Sequence, residues 1–332
     1  MARMARNTPL AQTPPPAPAP AQSLAQALAE RVVVLDGGLS TELESRGYDV
    51  SGDLWSARLL CDDPEAIRAV HAAFAEAGAE VATTASYQAT FEGFAAAGIG
   101  LAQAARLMIR SVELARNPGG AQGHGSRWVA ASIGPYGAYL AGGREYTGDY
   151  VASPDNPDGL SIPALRAFHR PRLEVLAGAS PDVIACETIP ALAEWEALMS
   201  EVAELGVAAW LSLTTVTGDD GVVRTRRGED AAVAFTAARD VPGVVAVGVN
   251  CIAPDGVAAA VDVARRCSGL PVVVYPNSGE TWDGAARTWR GTPGLDLADA
   301  RAWVAAGARL VGGCCRVRPA HIGELAGDLM VR

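Results

Sequence analysis

Three cysteines are the residues of this sequence best suited to chemistry: Cys251 and the adjacent pair Cys314 and Cys315. The 63 positions that separate Cys251 from Cys314 exclude a local zinc-knuckle spacing. Three thiolates that leave a fourth position open are nevertheless the ligand pattern of a catalytic zinc ion. The residues alone leave three alternatives open, which are buried unreactive thiols, a strained vicinal disulfide between Cys314 and Cys315, and a nucleophilic cysteine.

The other thiols and the imidazoles of the chain give less support for catalysis. We interpret the remaining cysteines as buried or structural thiols, which are Cys61, Cys186 and Cys267. A nucleophilic cysteine needs a His partner. The four histidines fall in predicted helices or connections and not at the ends of predicted strands: His71, His124, His169 and His321.

Eight short apolar runs alternate with eight helical patterns and would position these groups. The predicted strands are Val32–Leu35, Glu80–Thr84, Trp128–Ser132, Asp182–Cys186, Ala208–Thr214, Val244–Val249, Pro271–Tyr275 and Arg309–Val311. The predicted helices are Pro64–Ala77, Leu101–Ala115, Ile162–Ala177, Leu192–Leu205, Asp230–Arg239, Gly256–Cys267, Asp296–Ala306 and Pro319–Leu329. Apolar strands that alternate with helices predict an α/β fold with a parallel sheet. Eight repeats without a break in composition favour a single-domain (β/α)8 TIM barrel over an open doubly wound sheet.

Each predicted strand ends in a polar or Gly-rich segment, and in a barrel these ends meet on the face where active sites are built. Cys251 ends the sixth strand and Cys314 ends the eighth, so one strand lies between them. Two strand spacings amount to about 10 Å, a distance that two cysteine side chains and two Zn–S bonds can span. Gly312 and Gly313 precede the cysteine pair and allow the backbone to turn both thiols inward.

The composition limits the partners and the compartment. The net charge of −10 argues against nucleic acid and anionic membranes as partners. No run approaches the roughly 18 apolar residues of a membrane span, and the N-terminus lacks the apolar segment of a secretory signal. The segment Pro14–Pro20 predicts a disordered Pro/Ala-rich tail over residues 1–22, followed by the barrel over residues 23–332. Six cysteines without the spacing of a secreted disulfide framework predict a reducing, cytoplasmic setting.

Seven of the strand-end segments together resemble the homocysteine S-methyltransferases. The likeness is closest to the branch that uses S-methylmethionine, and it extends from about Leu24 to the C-terminus in the expected order. The segments that carry it are Leu35–Gly38, Thr84–Ala89, Gly134–Leu140, Ala185–Thr188, Gly248–Cys251, Tyr275–Glu280 and Gly312–Arg316.

The resemblance implies roles for particular residues. The family's zinc ligands carry over to Cys251, Cys314 and Cys315. Its acidic contacts to the amino group of homocysteine carry over to Asp36 and Glu187. The other candidate substrate contacts lie in the same segments, and the tyrosines among them are candidates to face a cationic methyl donor: Ser86, Tyr87, Tyr136, Tyr139, Asn250 and Asn277.

The reaction that the resemblance implies needs a thiolate and no general acid. A free thiol is only about 3% ionised at pH 7, whereas a zinc-bound thiol is deprotonated. The sulfur of homocysteine would take a methyl group from S-methylmethionine or S-adenosylmethionine and form methionine. Betaine as the donor, selenocysteine as the acceptor, a barrel metallohydrolase and a non-catalytic zinc-binding protein are the alternatives. The sequence does not distinguish a monomer from a dimer.

Overall fold

Eight parallel strands form the central sheet of the computed structural model, which describes residues 22–52, 54–118, 128–283, 288–291 and 295–329. In chain order these barrel strands are Val33–Val34, Val81–Thr83, Trp128–Ile133, Val183–Ile189, Ala209–Leu213, Val244–Asn250, Val272–Tyr275 and Ala308–Val311. Each overlaps one of the strands expected from the sequence. The predicted tail lies outside the described residues, except for Gln22.

The sheet closes on itself. Its strands follow the order first, eighth, seventh, sixth, fifth, fourth, third and second. A parallel bridge between Leu35 and Val81, and a hydrogen bond of 2.8 Å from the Glu80 amide to the Val34 carbonyl, then join the first strand to the second. Because helices follow the strands and cover the outside, the architecture is a single-domain (β/α)8 barrel, as the sequence predicts.

Local sequence signals begin and end the covering helices. The Asp63 side chain accepts a hydrogen bond from the Ala66 amide at the start of one helix, and Gly206, in a left-handed conformation (φ 64°), ends another. The α-helices are Leu24–Glu30, Leu39–Ser45, Ser56–Asp62, Pro64–Glu76, Phe91–Ala96, Leu101–Arg116, Tyr136–Leu140, Ile162–Gly178, Leu192–Leu205, Ala231–Ala238, Val257–Ser268, Leu297–Ala306 and Pro319–Leu329. Among the described residues, two short 3-10 turns span Arg144–Tyr146 and Pro254–Gly256. None of the described helices is long and apolar enough to cross a membrane.

One end of the barrel interior is closed by packing, which leaves the other end for a site. Large side chains such as Trp128 and Trp210 fill the interior and are fully buried. Leu24 and Leu28 of the first helix pack into the same cluster, and the Trp128 indole donates to the Gln22 carbonyl at 2.9 Å. The first helix therefore plugs the end opposite the carboxyl ends of the strands.

Several short elements were not expected from the sequence. Two helices, Leu39–Ser45 and Ser56–Asp62, follow the first strand. Two antiparallel hairpins pair Thr215–Thr217 with Val223–Thr225 and Thr281–Asp283 with Thr288–Arg290. Strands of three residues are too short to show an apolar period, so the pattern of the sequence did not reveal them.

One of the three cysteines interpreted as structural does not fit that interpretation. Cys61 is exposed on the helix Ser56–Asp62, since this helix, which was not expected, directs the thiol towards solvent. Cys186 is buried between the sheet and the helices, and burial raises the pKa of its thiol to about 12. Cys267 is half-buried.

Candidate metal and substrate site

The carboxyl ends of the strands surround a cavity of about 120 Å³. Its wall includes the three cysteines of the sixth and eighth strand ends and three carboxylates, which are Asp36, Glu145 and Glu187. None of the described residues that line it is an Arg or a Lys. The cavity is therefore acidic, and it is suited to substrates that carry positive charge.

The sulfur atoms of Cys251, Cys314 and Cys315 all lie within 4.8 Å of one another. Three sulfurs bound to one tetrahedral zinc ion at about 2.3 Å would lie about 3.8 Å apart. The cluster therefore fits a metal ion of that size. Cys251 and Cys314 are joined here as a disulfide, so this bond must be reduced before both can act as ligands. Burial raises the pKa of the Cys315 thiol to about 11, so without a cation it stays protonated at neutral pH.

The backbone brings the cysteines closer than two strand spacings would. The Cα atoms of Cys251 and Cys314 are 5.6 Å apart, and not about 10 Å as expected. Cys251 leaves its strand in a left-handed conformation (φ 51°), which is strained for a residue with a Cβ atom. Gly312 lies so close to the first strand that a Cβ atom there would be 2.6 Å from the Asp36 carbonyl oxygen, and a Cβ atom at Gly313 would collide with Val317. These glycines let the chain turn inward over the seventh strand.

Asp36, at the end of the first strand, is 2% exposed. Its two carboxylate oxygens accept hydrogen bonds from the Thr83 amide (2.7 Å) and the Thr83 hydroxyl (2.8 Å). Burial raises the pKa of Asp36 to about 8, although the hydrogen bonds from Thr83 lower it. A substrate ammonium group would supply the positive charge that the ionised carboxylate lacks.

Glu187, at the end of the fourth strand, is held in a similar way. The Ser132 hydroxyl donates to one of its oxygens, and burial raises the pKa of Glu187 to about 7. The next residue, Thr188, has a left-handed backbone (φ 62°). The Asn250 side chain accepts a hydrogen bond from the Thr188 amide and donates one to the Thr188 hydroxyl, both at 2.7 Å. Asn250 therefore stabilises the bend that directs Glu187 into the cavity.

Known proteins resemble this chain along most of its length. The family model for homocysteine S-methyltransferase matches residues 33–329. The homocysteine S-methyltransferase of Escherichia coli K12 is 45% identical over 89% of this chain and 94% of its own length. Homocysteine S-methyltransferase YbgG of Bacillus subtilis is 40% identical over 89% of this chain and 93% of its own. The chain belongs to the homocysteine S-methyltransferase family.

Solved structures agree with this assignment. The metallated form of the homocysteine methyltransferase MmuM from Escherichia coli has a TM-score of 0.76, with 41% identity over 90% of this chain and 96% of that chain. The oxidised form of the same protein also has a TM-score of 0.76. The family predicted from the strand-end segments is confirmed, and with it the prediction that the chain is a methyltransferase.

In the structure, several residues that the sequence suggested as substrate contacts have other roles. Tyr136 and Tyr139 do not line the cavity, because their rings pack against each other (5.4 Å between centroids) and against Phe168. The Ser86 hydroxyl donates to the Ser132 carbonyl at 2.8 Å and joins two strands. Asn277 accepts a hydrogen bond of 3.2 Å from the Cys315 amide and so orients a cysteine of the cluster.

Tyr87 lines the cavity, and so do residues that were not predicted as contacts, among them Trp55, Glu145 and Tyr146. The Trp55 ring stacks on Tyr87 with 6.4 Å between centroids. Glu145 and Tyr146 enter the cavity from the connection after the third strand. The sequence signal for these two was the length and tyrosine content of that connection, whereas Trp55 lies in a loop with no comparable signal.

Proposed function

We propose that this family member transfers a methyl group from S-methylmethionine to the sulfur of homocysteine, with a zinc ion held by Cys251, Cys314 and Cys315. The observation that carries the proposal is the cluster of three cysteine sulfurs within 4.8 Å at an acidic cavity. Zinc would supply one thing to the reaction, which is a deprotonated and nucleophilic homocysteine thiol at neutral pH. Because the ligands must be reduced thiolates, we propose a reducing, cytoplasmic setting.

The two buried carboxylates would orient homocysteine. Asp36 and Glu187 both line the cavity, and both have pKa values raised by burial. The ammonium group of an amino acid would favour their ionised forms and be held by them. With the amino group fixed there, the short side chain of homocysteine can direct its sulfur towards the cysteine cluster.

The methyl transfer requires no general acid, because the leaving group is neutral. The homocysteine thiol releases its proton, and its sulfur forms a bond to the methyl carbon of the donor. The bond between that carbon and the sulfonium sulfur breaks, and the electron pair stays on the leaving sulfur as a neutral thioether. With S-methylmethionine, each turnover gives two molecules of methionine and one proton.

The aromatic residues of the cavity and the chemistry of the leaving group favour a sulfonium donor. The stacked rings of Trp55 and Tyr87 offer aromatic faces to a cation. Betaine would leave as an amine, which is a poorer leaving group than a thioether.

A comparison of donors tests the proposal. Reduced, zinc-loaded protein is incubated with homocysteine and, separately, S-methylmethionine, S-adenosylmethionine or betaine, and methionine is quantified by chromatography. We expect the fastest turnover with S-methylmethionine and two methionines per homocysteine consumed. Turnover with betaine at an equal or higher rate would refute the assigned donor and leave the metal site standing. Absence of turnover with all three donors would refute the proposed reaction.

A further inference from the structure

Glu145 is a buried residue that lines the cavity, and its carboxylate has no role in the reaction proposed above. It lies in the 3-10 turn Arg144–Tyr146, within the connection between the third strand and the helix Ile162–Gly178. Its side chain is 3% exposed and lines the cavity. Its Oε2 atom has no hydrogen-bond partner. Asp36 and Glu187, by contrast, each accept hydrogen bonds from neighbouring strands.

Close packing and a hydrogen bond hold the segment that carries Glu145. Gly137 packs so tightly on the turn that a Cβ atom there would lie 2.6 Å from the Glu145 amide nitrogen. The turn begins after Gly143, whose left-handed conformation (φ 81°) suits a glycine. On its other side, the Asn156 side chain donates to the Asp149 carbonyl at 2.8 Å. These contacts hold the backbone of the turn beside the cavity.

The described arginines near Glu145 bind other groups. Arg144 donates to the exposed Asp149 at 3.0 Å. Arg226 lies over the Tyr146 ring, 5.6 Å from its centroid, and donates to the Thr214 hydroxyl at 3.1 Å. A buried carboxylate with an unpartnered oxygen is disfavoured in its ionised form, and burial raises the pKa of Glu145. An organic cation in the cavity would favour the ionised form.

We propose that Glu145 is the anionic contact of the cationic methyl donor, so that the connection after the third strand selects donors by charge. The inference rests on the proposed function, because it assigns a cation to the donor. Glu145 shares the cavity with Trp55 and Tyr87, so a cation held there would meet aromatic faces and a carboxylate together. Two groups of S-methylmethionine have the required charge, the sulfonium and the ammonium.

Binding measurements with Glu145→Gln test the contact without relying on turnover. The matched control is Glu92→Gln, which removes the same charge from an exposed position. Isothermal titration calorimetry on the reduced full-length protein compares three ligands, which are S-methylmethionine, trimethylsulfonium (no ammonium) and methionine (no sulfonium). Because a charge-assisted hydrogen bond is lost, we expect Glu145→Gln to raise the Kd of S-methylmethionine at least tenfold. Glu92→Gln and the wild type should bind it equally.

The other two ligands identify the cationic group. A raised Kd for trimethylsulfonium but not for methionine assigns the sulfonium, and the reverse result assigns the ammonium. Glu145→Asp keeps the charge and should recover part of the affinity, which a purely structural role would not explain. Equal affinities of Glu145→Gln and the wild type for all three ligands would overturn the proposal, and so would a wild type that binds none of them. A wild type that binds the cations through Glu145 but transfers no methyl group would refute the proposed function alone.

Discussion

Replacing Glu187 by Gln should make the substrate-free protein more stable and its binding of homocysteine weaker. Burial raises the pKa of Glu187 from 4.5 to about 7. Each unit of difference between the folded and unfolded pKa is worth about 1.4 kcal/mol, so keeping this group ionised costs roughly 3 kcal/mol. Because folding raises the pKa of Glu187, ionisation of this group destabilises the folded protein. Glu187 costs nothing below pH 4.5, where it is protonated in both states, and the penalty grows as the pH rises through 7.

The expected gain from Glu187→Gln is therefore roughly 1 kcal/mol at pH 5 and roughly 3 kcal/mol at pH 8. Urea unfolding of the reduced protein at the two pH values measures it. Calorimetry at pH 8 should show an affinity for homocysteine that is more than tenfold weaker, since the amino group loses an ionic hydrogen bond. Glu196→Gln is the control, because Glu196 is exposed on the following helix. A variant that is less stable than the wild type at pH 8, or one with unchanged homocysteine affinity, would refute this reasoning.

Two further predictions concern the cysteine cluster. Replacing Cys251, Cys314 or Cys315 by Ala should abolish both turnover and the binding of about one zinc ion per chain, while the fold is retained. Mass spectrometry on the reduced protein measures the zinc content. Wild-type zinc content in all three variants would reject the site. Gly313→Ala should lower zinc content and activity together, because the added methyl group would collide with Val317 and displace the cysteine pair. Gly327→Ala, on an exposed helix position with open space for a Cβ atom, is the control and should leave both unchanged. Wild-type zinc content in Gly313→Ala would show that the close approach is not required.

Strands and helices were predictable because their signals are local. The runs that became barrel strands are mostly apolar, as is typical of parallel strands that are buried on both faces. Helix ends coincide with residues that cap or terminate helices by themselves, such as Asp63 and Gly206. The number and alternation of these elements were sufficient to favour a barrel, and the barrel in turn indicated which residues share a rim.

The direction of each side chain at that rim depended on contacts between residues far apart in the sequence. Tyr136 follows the third strand as expected, but its amide hydrogen bonds to Glu194, which is 58 positions away, and its ring packs on Phe168 and not into the cavity. Asn277 accepts a hydrogen bond from the Cys315 amide, 38 positions away. Such partners are separated by whole strands and helices, so no local pattern contains them.

The sequence by itself determined the fold and the family, because both depend on which residue types follow each strand. Only the tertiary structure decided the distances and the charges within the cavity. The cysteines approach more closely than strand spacing allows because Gly312 and Gly313 permit close backbone contact with the first strand and Val317. Glu145 lies at the cavity because its turn packs closely against Gly137. One oxygen of its carboxylate has no hydrogen-bond partner, since nearby arginines such as Arg144 bind other groups. Burial and the absence of a counter-charge depend on the whole assembled rim, so a residue's type and position in the chain do not reveal them.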